Sequence, residues 1–160
     1  MERAKPIESF GEPIRSFDGE YRFLSNFWEC DLEYEGIRYK SSEAAYQAQK
    51  TIDQKSRFSD LSPERAKQLG SALLPRSDWD AVKREKMLGV VRAKFMQNRD
   101  LADKLLATGN RYLEEANTWH DAYWGVDAET GKGENWLGWI LMKVRMELRI
   151  NREYESADAG

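Results

Sequence analysis

The sequence predicts a mainly α fold, a single compact helical domain with a small β element near the amino terminus. Three observations carry that reading. Apolar residues recur at three-to-four spacing through most of the chain after Ser41, in segments bracketed by serine, aspartate, proline and glycine. Alternation is confined to one stretch, between Tyr21 and Tyr39. The 160 residues are 41% hydrophobic and 33% charged, with no internal repeat and no low-complexity linker, which suits one core rather than two.

Each element follows from local chemistry. Residues 1–16, polar and carrying Pro6 and Pro13, read as a loose lead-in to a domain over residues 17–153, with 154–160 as a frayed tail. Phe23, Phe27, Cys30, Leu32 and Tyr34, a Glu35-Gly36 turn, then Ile37 and Tyr39 predict a β-hairpin with one buried face. Ser41 or Ser42 caps a helix running through Glu43 to Lys50, whose alanines let a neighbour approach and whose spacing aligns Glu43, Gln47 and Lys50 on one face. Ser62-Pro63-Glu64 is a helix start with proline at the first position, and that helix ends near Gly70. Ser77-Asp78 opens a long amphipathic helix to about Asn98, carrying Trp79, Val82, Lys83, Met87, Val90, Val91, Lys94 and Phe95. A shorter helix with Leu101, Leu105 and Leu106 stops at Gly109. The last, from about Glu134 to Arg149, buries Leu137, Ile140, Leu141, Val144 and Leu148.

Composition removes several function classes. Cys30 is the only cysteine and His120 the only histidine, so a disulfide framework and a cysteine-based zinc cluster are excluded, and neither a protein-built metal site nor a cofactor is expected. There is no signal-like amino terminus and no run of roughly 20 apolar residues, which predicts a cytoplasmic protein, or a nuclear one in a eukaryote, with no membrane partner. A net charge of −3 argues against a sequence-independent nucleic-acid coat. It leaves room for an enzyme that draws one nucleotide into a pocket, which needs aromatic faces and a few local cations more than a cationic surface. Six tryptophans and seven tyrosines supply such faces.

The segment from Asp121 to Met142 joins an acid, aromatics and a glycine loop to a helix start. Gly125, Gly131 and Gly133 permit positive φ, and the helix that follows offers its first N–H groups to an anion such as phosphate. Elsewhere, Glu43 stands in a first helical turn, where the macrodipole favours the ionised carboxylate and burial opposes it. Taken singly, Asp121 is a turn residue or an acid, Trp79 a core anchor or a ligand platform, and Lys50 and Lys94 are helix-surface or reactive lysines.

Together these segments resemble one family. Phe23-Leu24-Ser25-Asn26-Phe27, Ser42-Glu43-Ala44-Ala45-Tyr46-Gln47-Ala48-Gln49-Lys50, Asp78-Trp79, Ala93-Lys94-Phe95-x-Gln97, and Asp121-x-x-Trp124-Gly125 leading to Gly131-Lys132-Gly133-x-Asn135-x-Leu137-Gly138 and Leu141-Met142 are similar to the successive motifs of the NADAR family, also called YbiA-like. The resemblance runs from about Phe17 to Leu148. It implies a YbiA-like helical domain and an N-glycosidase that breaks a bond between a ribose anomeric carbon and nitrogen. Two substrate classes are implied: ADP-ribose on guanine in DNA, RNA or free nucleotides, and phosphoribosylamino-pyrimidine intermediates of riboflavin synthesis. The family's functional positions fall on Glu43, Trp79, Asp121, Trp124 and Gly125, with Ser25, Asn26 and Asn135 as ligand-facing matches. One departure is Ser71, where family members often carry a basic residue, although Arg76 follows. Acidic Glu134 beside the glycine loop is another.

The chemistry is consistent with that reading. Breaking an N-glycosidic bond builds positive charge at C1′ and the ring oxygen, so it calls for a carboxylate near the sugar and a proton for the departing nitrogen. Glu43 and Asp121 are expected to share those roles without a metal, Trp79 and Trp124 to stack on base or sugar, and the glycine loop near Asn135 to cradle phosphate. If the ribose opens to an aldehyde, a desolvated lysine can instead form a Schiff base. Lys50, about 10 Å from Glu43 along a continuous helix, is preferred over Lys94. The rival class is a non-catalytic module that binds ADP-ribose without turnover. Two acids in a pocket for a negatively charged ligand favour the enzyme.

Overall fold

Every residue of the short helix α1 (Ser42–Ala48) is buried, and the rest of the fold is arranged around it. The computed structural model describes residues 11–159. It is mainly α, as predicted. A 3-10 turn (Gly19–Leu24) precedes strands β1 (Glu29–Tyr34) and β2 (Ile37–Ser41), which lead into α1. A second 3-10 turn (Lys55–Phe58) is followed by α2 (Pro63–Ala72), α3 (Trp79–Gln97) and α4 (Arg99–Ala107). Two-residue strands β3 (Ala116–Asn117) and β4 (Val126–Asp127) pair in parallel before the terminal helix α5 (Trp136–Ala159).

The hairpin is where the alternation placed it, but shorter. Glu35 and Gly36 both take positive φ, 49° and 85°, the two-residue turn whose twist matches antiparallel strands. Leu32 pairs with Tyr39, and both are buried. Phe23 belongs instead to the first 3-10 turn, where its ring meets Phe95 edge-on at 6.5 Å, and Phe27 lies in the connecting loop. The outer edge of β1 is closed by α3: Gln97 Oε1 accepts from Glu33 N–H and Gln97 Nε2 donates to Glu33 C=O, both at 2.7 Å. A side-chain amide thus stands where another strand's peptide would.

Helix boundaries follow the caps. Ser41 Oγ accepts from Ala44 N–H at 3.0 Å, and Ser62 Oγ from Arg65 N–H at 3.2 Å behind Pro63 at the first position of α2. Asp78 precedes α3 without capping it, because its carboxylate is held by the Arg76 guanidinium. Helix α1 is shorter than predicted. The N–H groups of Gln49, Lys50 and Thr51 fold back to carbonyls three residues earlier, so Lys50 occupies a turn rather than the second turn of a continuous helix.

Leu137, Ile140, Leu141, Val144 and Leu148 are buried as predicted, each contributing roughly 1.5–3 kcal/mol. α5 runs on past Arg149, so the tail expected to fray from Tyr154 is helical, with Arg152 on Asp103 at 2.7 Å tying it to α4. At the other end, Ile14 is buried, donates to Tyr112 C=O and accepts from Glu114 N–H, both at 2.8 Å. The lead-in is therefore pinned from Ile14 onward, while its first ten residues lie outside the described chain. No helix among the described residues is long and apolar enough to cross a membrane.

Candidate active site

Glu43 is presented by the first turn of α1 and fixed from three sides. Its N–H donates to Asn26 C=O at 3.0 Å, and its Oε1 accepts from Gln47 Nε2 at 2.8 Å. Gly70 allows α2 to pack directly on Gln47, since a Cβ there would overlap the Gln47 amide. Only 7% of Glu43 is exposed. Burial pushes its carboxyl above the ordinary value, while the Gln47 bond and the charges of Lys67 and Lys50 pull it back and Asp121 pushes it further up. Of the two opposing effects expected on Glu43, burial wins over the helix dipole.

Asp121 builds its own loop. Its Oδ1 accepts from the N–H groups of Tyr123 at 3.0 Å and Trp124 at 2.9 Å. Its main chain is clamped by Asn117, whose Oδ1 accepts from Asp121 N–H at 2.9 Å while its Nδ2 donates to Asp121 C=O at 2.8 Å. The same Nδ2 reaches Glu115 Oε2 at 3.0 Å. Glu115 was not anticipated from sequence. Burial raises its carboxyl to about 7; the Asn117 bond and Lys67 lower it, and the charges of Asp121 and Glu43 raise it. Glu43, Glu115 and Asp121 are thus one cluster of acids, with Lys67 acting electrostatically on both Glu43 and Glu115. No local pattern marks Glu115, Asn117 or Lys67 in the sequence. Glu115 and Asn117 lie at strand β3 in the long connection between α4 and α5, and Lys67 on an exposed helix face.

The glycine loop departs from expectation. Gly131 has φ of 72°, but Gly125 is not in the positive-φ region. Gly125 is required for space: a Cβ would run into the Glu115 carboxylate and carbonyl and come within 2.8 Å of Asn117 Nδ2. Gly133 packs on Val126, whose Cα would lie 2.7 Å from an added Cβ. The N–H groups expected to hold phosphate are already bonded. Glu134, Asn135, Trp136 and Leu137 donate to the carbonyls of Ala122, Gly125, Tyr123 and Trp124 at 2.8–3.2 Å. Asn135 is 2% exposed, and its side chain accepts from Glu115 N–H and donates to Leu113 C=O and Tyr112 Oη. This start of α5 is a fastener for the Asp121 turn rather than an anion cradle.

Two other matched positions are structural in the same way. Asn26 is buried, with Oδ1 accepting from Ser42 Oγ at 2.8 Å and its C=O taken by Glu43. Ser25 Oγ accepts from Phe27 N–H at 3.1 Å. Lys94 is 0% exposed and donates to Phe23 C=O at 2.6 Å and Ser25 C=O at 2.9 Å. Burial lowers it to about 8, yet its amine is spent on the loop that seats Glu43. Lys50 is half-buried, with its amine lowered by burial and raised by Glu43, which suits a nucleophile far better.

Aromatic rings wall the acids. Tyr46 packs on Trp79 at 5.3 Å and edge-on to Trp124 at 5.5 Å, and Tyr123 meets Trp124 at 4.8 Å. Trp79 is 8% exposed, so it supports Tyr46 and leaves Trp124 as the more open ring. Beyond this wall, Lys83 Nζ lies 4.1 Å from the Tyr123 ring, and Arg84 lies 3.9 Å from Trp136 and donates to Tyr123 Oη at 2.7 Å. On the loop, exposed His120 shares a 2.9 Å hydrogen bond with Asp127, and their ligand atoms lie within 4.8 Å of each other and of Glu129. The sole histidine therefore has carboxylate company that spacing alone did not reveal.

Comparison with known proteins places the NADAR domain over residues 14–149 of this chain. A riboflavin biosynthesis protein of Vibrio vulnificus is 41% identical over 142 residues, which are 86% of this chain and 38% of that protein. The N-glycosidase YbiA of Shigella boydii is 39% identical over 142 residues, covering 86% of this chain and 88% of that one. The chain thus spans well under half of the Vibrio relative but most of YbiA. The NMR structure of the Escherichia coli protein YbiA superposes with a TM-score of 0.77 at 34% identity, covering 88% of each chain.

Proposed function

This chain belongs to the NADAR family and is an N-glycosidase, and from that premise we propose that it hydrolyses the ribose C1′–N bond of ADP-ribosylated guanine in nucleic acid or nucleotides. The observation that carries this choice of substrate is the row of two cations seated on aromatic rings just beyond the wall around the acids, Lys83 on Tyr123 and Arg84 on Trp136. Rings that stack bases, interleaved with cations that follow a phosphate backbone, suit a nucleotide within a strand. A metabolite with one phosphate carries too few anionic groups to engage both cations, which otherwise pair with Asp80 and Tyr123 Oη.

In this reading the C1′–N bond breaks as positive charge grows on C1′ and the ring oxygen. Asp121, its Oδ1 anchored by the Tyr123 and Trp124 N–H groups, stands beside the sugar and stabilises that charge. Glu43, whose burial favours the protonated form, supplies the proton for the guanine nitrogen and then accepts one from the water that adds to C1′. Trp124 covers the base or sugar. An alternative first step is attack by the Lys50 amine on C1′ of the ring-opened N-riboside, which breaks the C1′–N bond, releases the base as its amine and leaves a lysine imine that water hydrolyses and borohydride would trap.

The second reading is hydrolysis of a phosphoribosylamino-pyrimidine of riboflavin synthesis, supported by the name of the Vibrio relative. One experiment separates them. The purified protein is incubated with a guanine-ADP-ribosylated DNA oligonucleotide and, in parallel, with the phosphoribosylamino-pyrimidine, and products are followed by mass spectrometry beside E43Q. ADP-ribose released by wild type and lost in E43Q supports the first reading. Ribose 5-phosphate released from the pyrimidine alone replaces it with the second.

A further inference from the structure

The N–H groups of Glu134, Asn135, Trp136 and Leu137 at the start of α5 are spent on the Asp121 turn. Another group must offset the negative charge that a phosphorylated ribose brings to a cluster of three acids. Lys67 is placed to do so. It is exposed on α2, one turn before the glycine that brings α2 against Gln47, the hydrogen-bond partner of Glu43. Its Nζ lies 5.6 Å from the Phe27 ring and 5.7 Å from the Trp119 ring. Phe27 belongs to the loop before β1, whose Asn26 carbonyl accepts from Glu43 N–H, and Trp119, 60% exposed, belongs to the turn that carries Asp121. The amine therefore lies between the loop that braces Glu43 and the turn that supplies Asp121, and it acts electrostatically on Glu43, Lys50 and Glu115 alike.

We propose that Lys67, flanked by Phe27 and Trp119, forms the subsite for the phosphate attached to the substrate's ribose. A cation over two ring faces is restrained without being neutralised, so it keeps its charge for a phosphate oxygen and adds an attraction that the surrounding acids lack. The exposed Trp119 face shields the contact from water on one side. This inference rests on the reading that the substrate is a phosphorylated N-riboside, which both substrate readings share.

The test measures product binding without turnover, so its failure is distinct from failure of the substrate proposal. Ribose 5-phosphate and ribose are titrated calorimetrically into wild type, K67Q and K67R. A charge-assisted bond implies that K67Q weakens ribose 5-phosphate about 10- to 100-fold, leaves ribose unchanged, and is largely rescued in K67R. Equal binding of ribose 5-phosphate by wild type and K67Q, or no preference of wild type for ribose 5-phosphate over ribose, overturns the proposal. Turnover of whichever N-riboside wild type cleaves adds a second readout. K67Q is expected to raise KM with kcat nearly unchanged. If K67R instead binds ribose 5-phosphate normally and loses kcat, Lys67 acts in the chemistry and the phosphate assignment is overturned.

Discussion

Replacing Glu115 with glutamine should make the protein's stability less sensitive to pH. The Glu115 carboxyl titrates at about 7 in the fold against an ordinary 4.5, mainly because it is buried between Gly125 and Asn117. The folded chain thus keeps a proton that the unfolded chain releases. Stability therefore falls as pH rises from the unfolded value through the folded one, and stays low above it. At 1.36 kcal/mol per pH unit, this difference corresponds to about 3 kcal/mol, most of which is lost between about pH 5 and pH 8. Glutamine cannot ionise, yet its Oε1 can still accept from Asn117. The assay is urea unfolding of wild type and E115Q at both pH values. Glu43, Asp121 and Lys67 are present in both proteins, so their separate titrations cancel in the double difference and only their coupling to Glu115 remains. Wild type should lose about 2 to 3 kcal/mol more than E115Q on going to the higher pH. Parallel pH dependences would mean that Glu115 is hydrated and already ionised, and would refute the argument that burial governs this carboxyl.

Other perturbations act on other links. E43Q should lower kcat about 10²- to 10³-fold while leaving the thermal midpoint close to wild type, and retained turnover would remove Glu43 from the chemistry. Lys94, lowered by burial to about 8 against 10.5, binds fewer protons folded than unfolded between those values. Its contribution to stability therefore rises with pH across that window, and K94M should flatten the rise seen in denaturant titrations. S41A removes the Ala44 cap and should cost about 1 kcal/mol, read as a shift in the urea midpoint at unchanged m. Losing nothing would show that tertiary packing alone sets the start of α1.

What the sequence made legible was local. The Glu35-Gly36 turn, the Ser41 and Ser62 caps and the buried stripe of α5 each depend on residues within a turn or two, and each lies where those residues placed it. Glu43 and Asp121 could be singled out because motifs surround them. The support beneath them was hidden, because it is made by contacts between distant segments. Nothing near Asn135 reveals that four consecutive N–H groups will meet the carbonyls of residues 122–125, so an apparent anion site was in fact already filled. Lys94 has helical spacing like its neighbours, and only the packing of the loop at residues 23–25 over α3 turns it into a buried donor. The reach of Lys50 was misjudged for a related reason. Helical periodicity through Gln49 does not disclose that three successive N–H groups tighten and end α1 early.

The contact between Gly125 and Glu115 also limits which descendants of this chain can exist. A side chain at position 125 would meet two obstacles, the carboxylate of residue 115 and that residue's main-chain carbonyl, which itself accepts from Val126 N–H at 2.8 Å. A second-site change can remove the first obstacle but not the second, because every amino acid at position 115 brings the same carbonyl. G125A is therefore expected to remain damaged in the E115A background, and no walk through single replacements at 115 opens a path to alanine at 125. Glycine at 125 is held by the main chain of its neighbour, independently of which acid stands there, so the position should stay fixed even in offspring whose catalytic chemistry has changed.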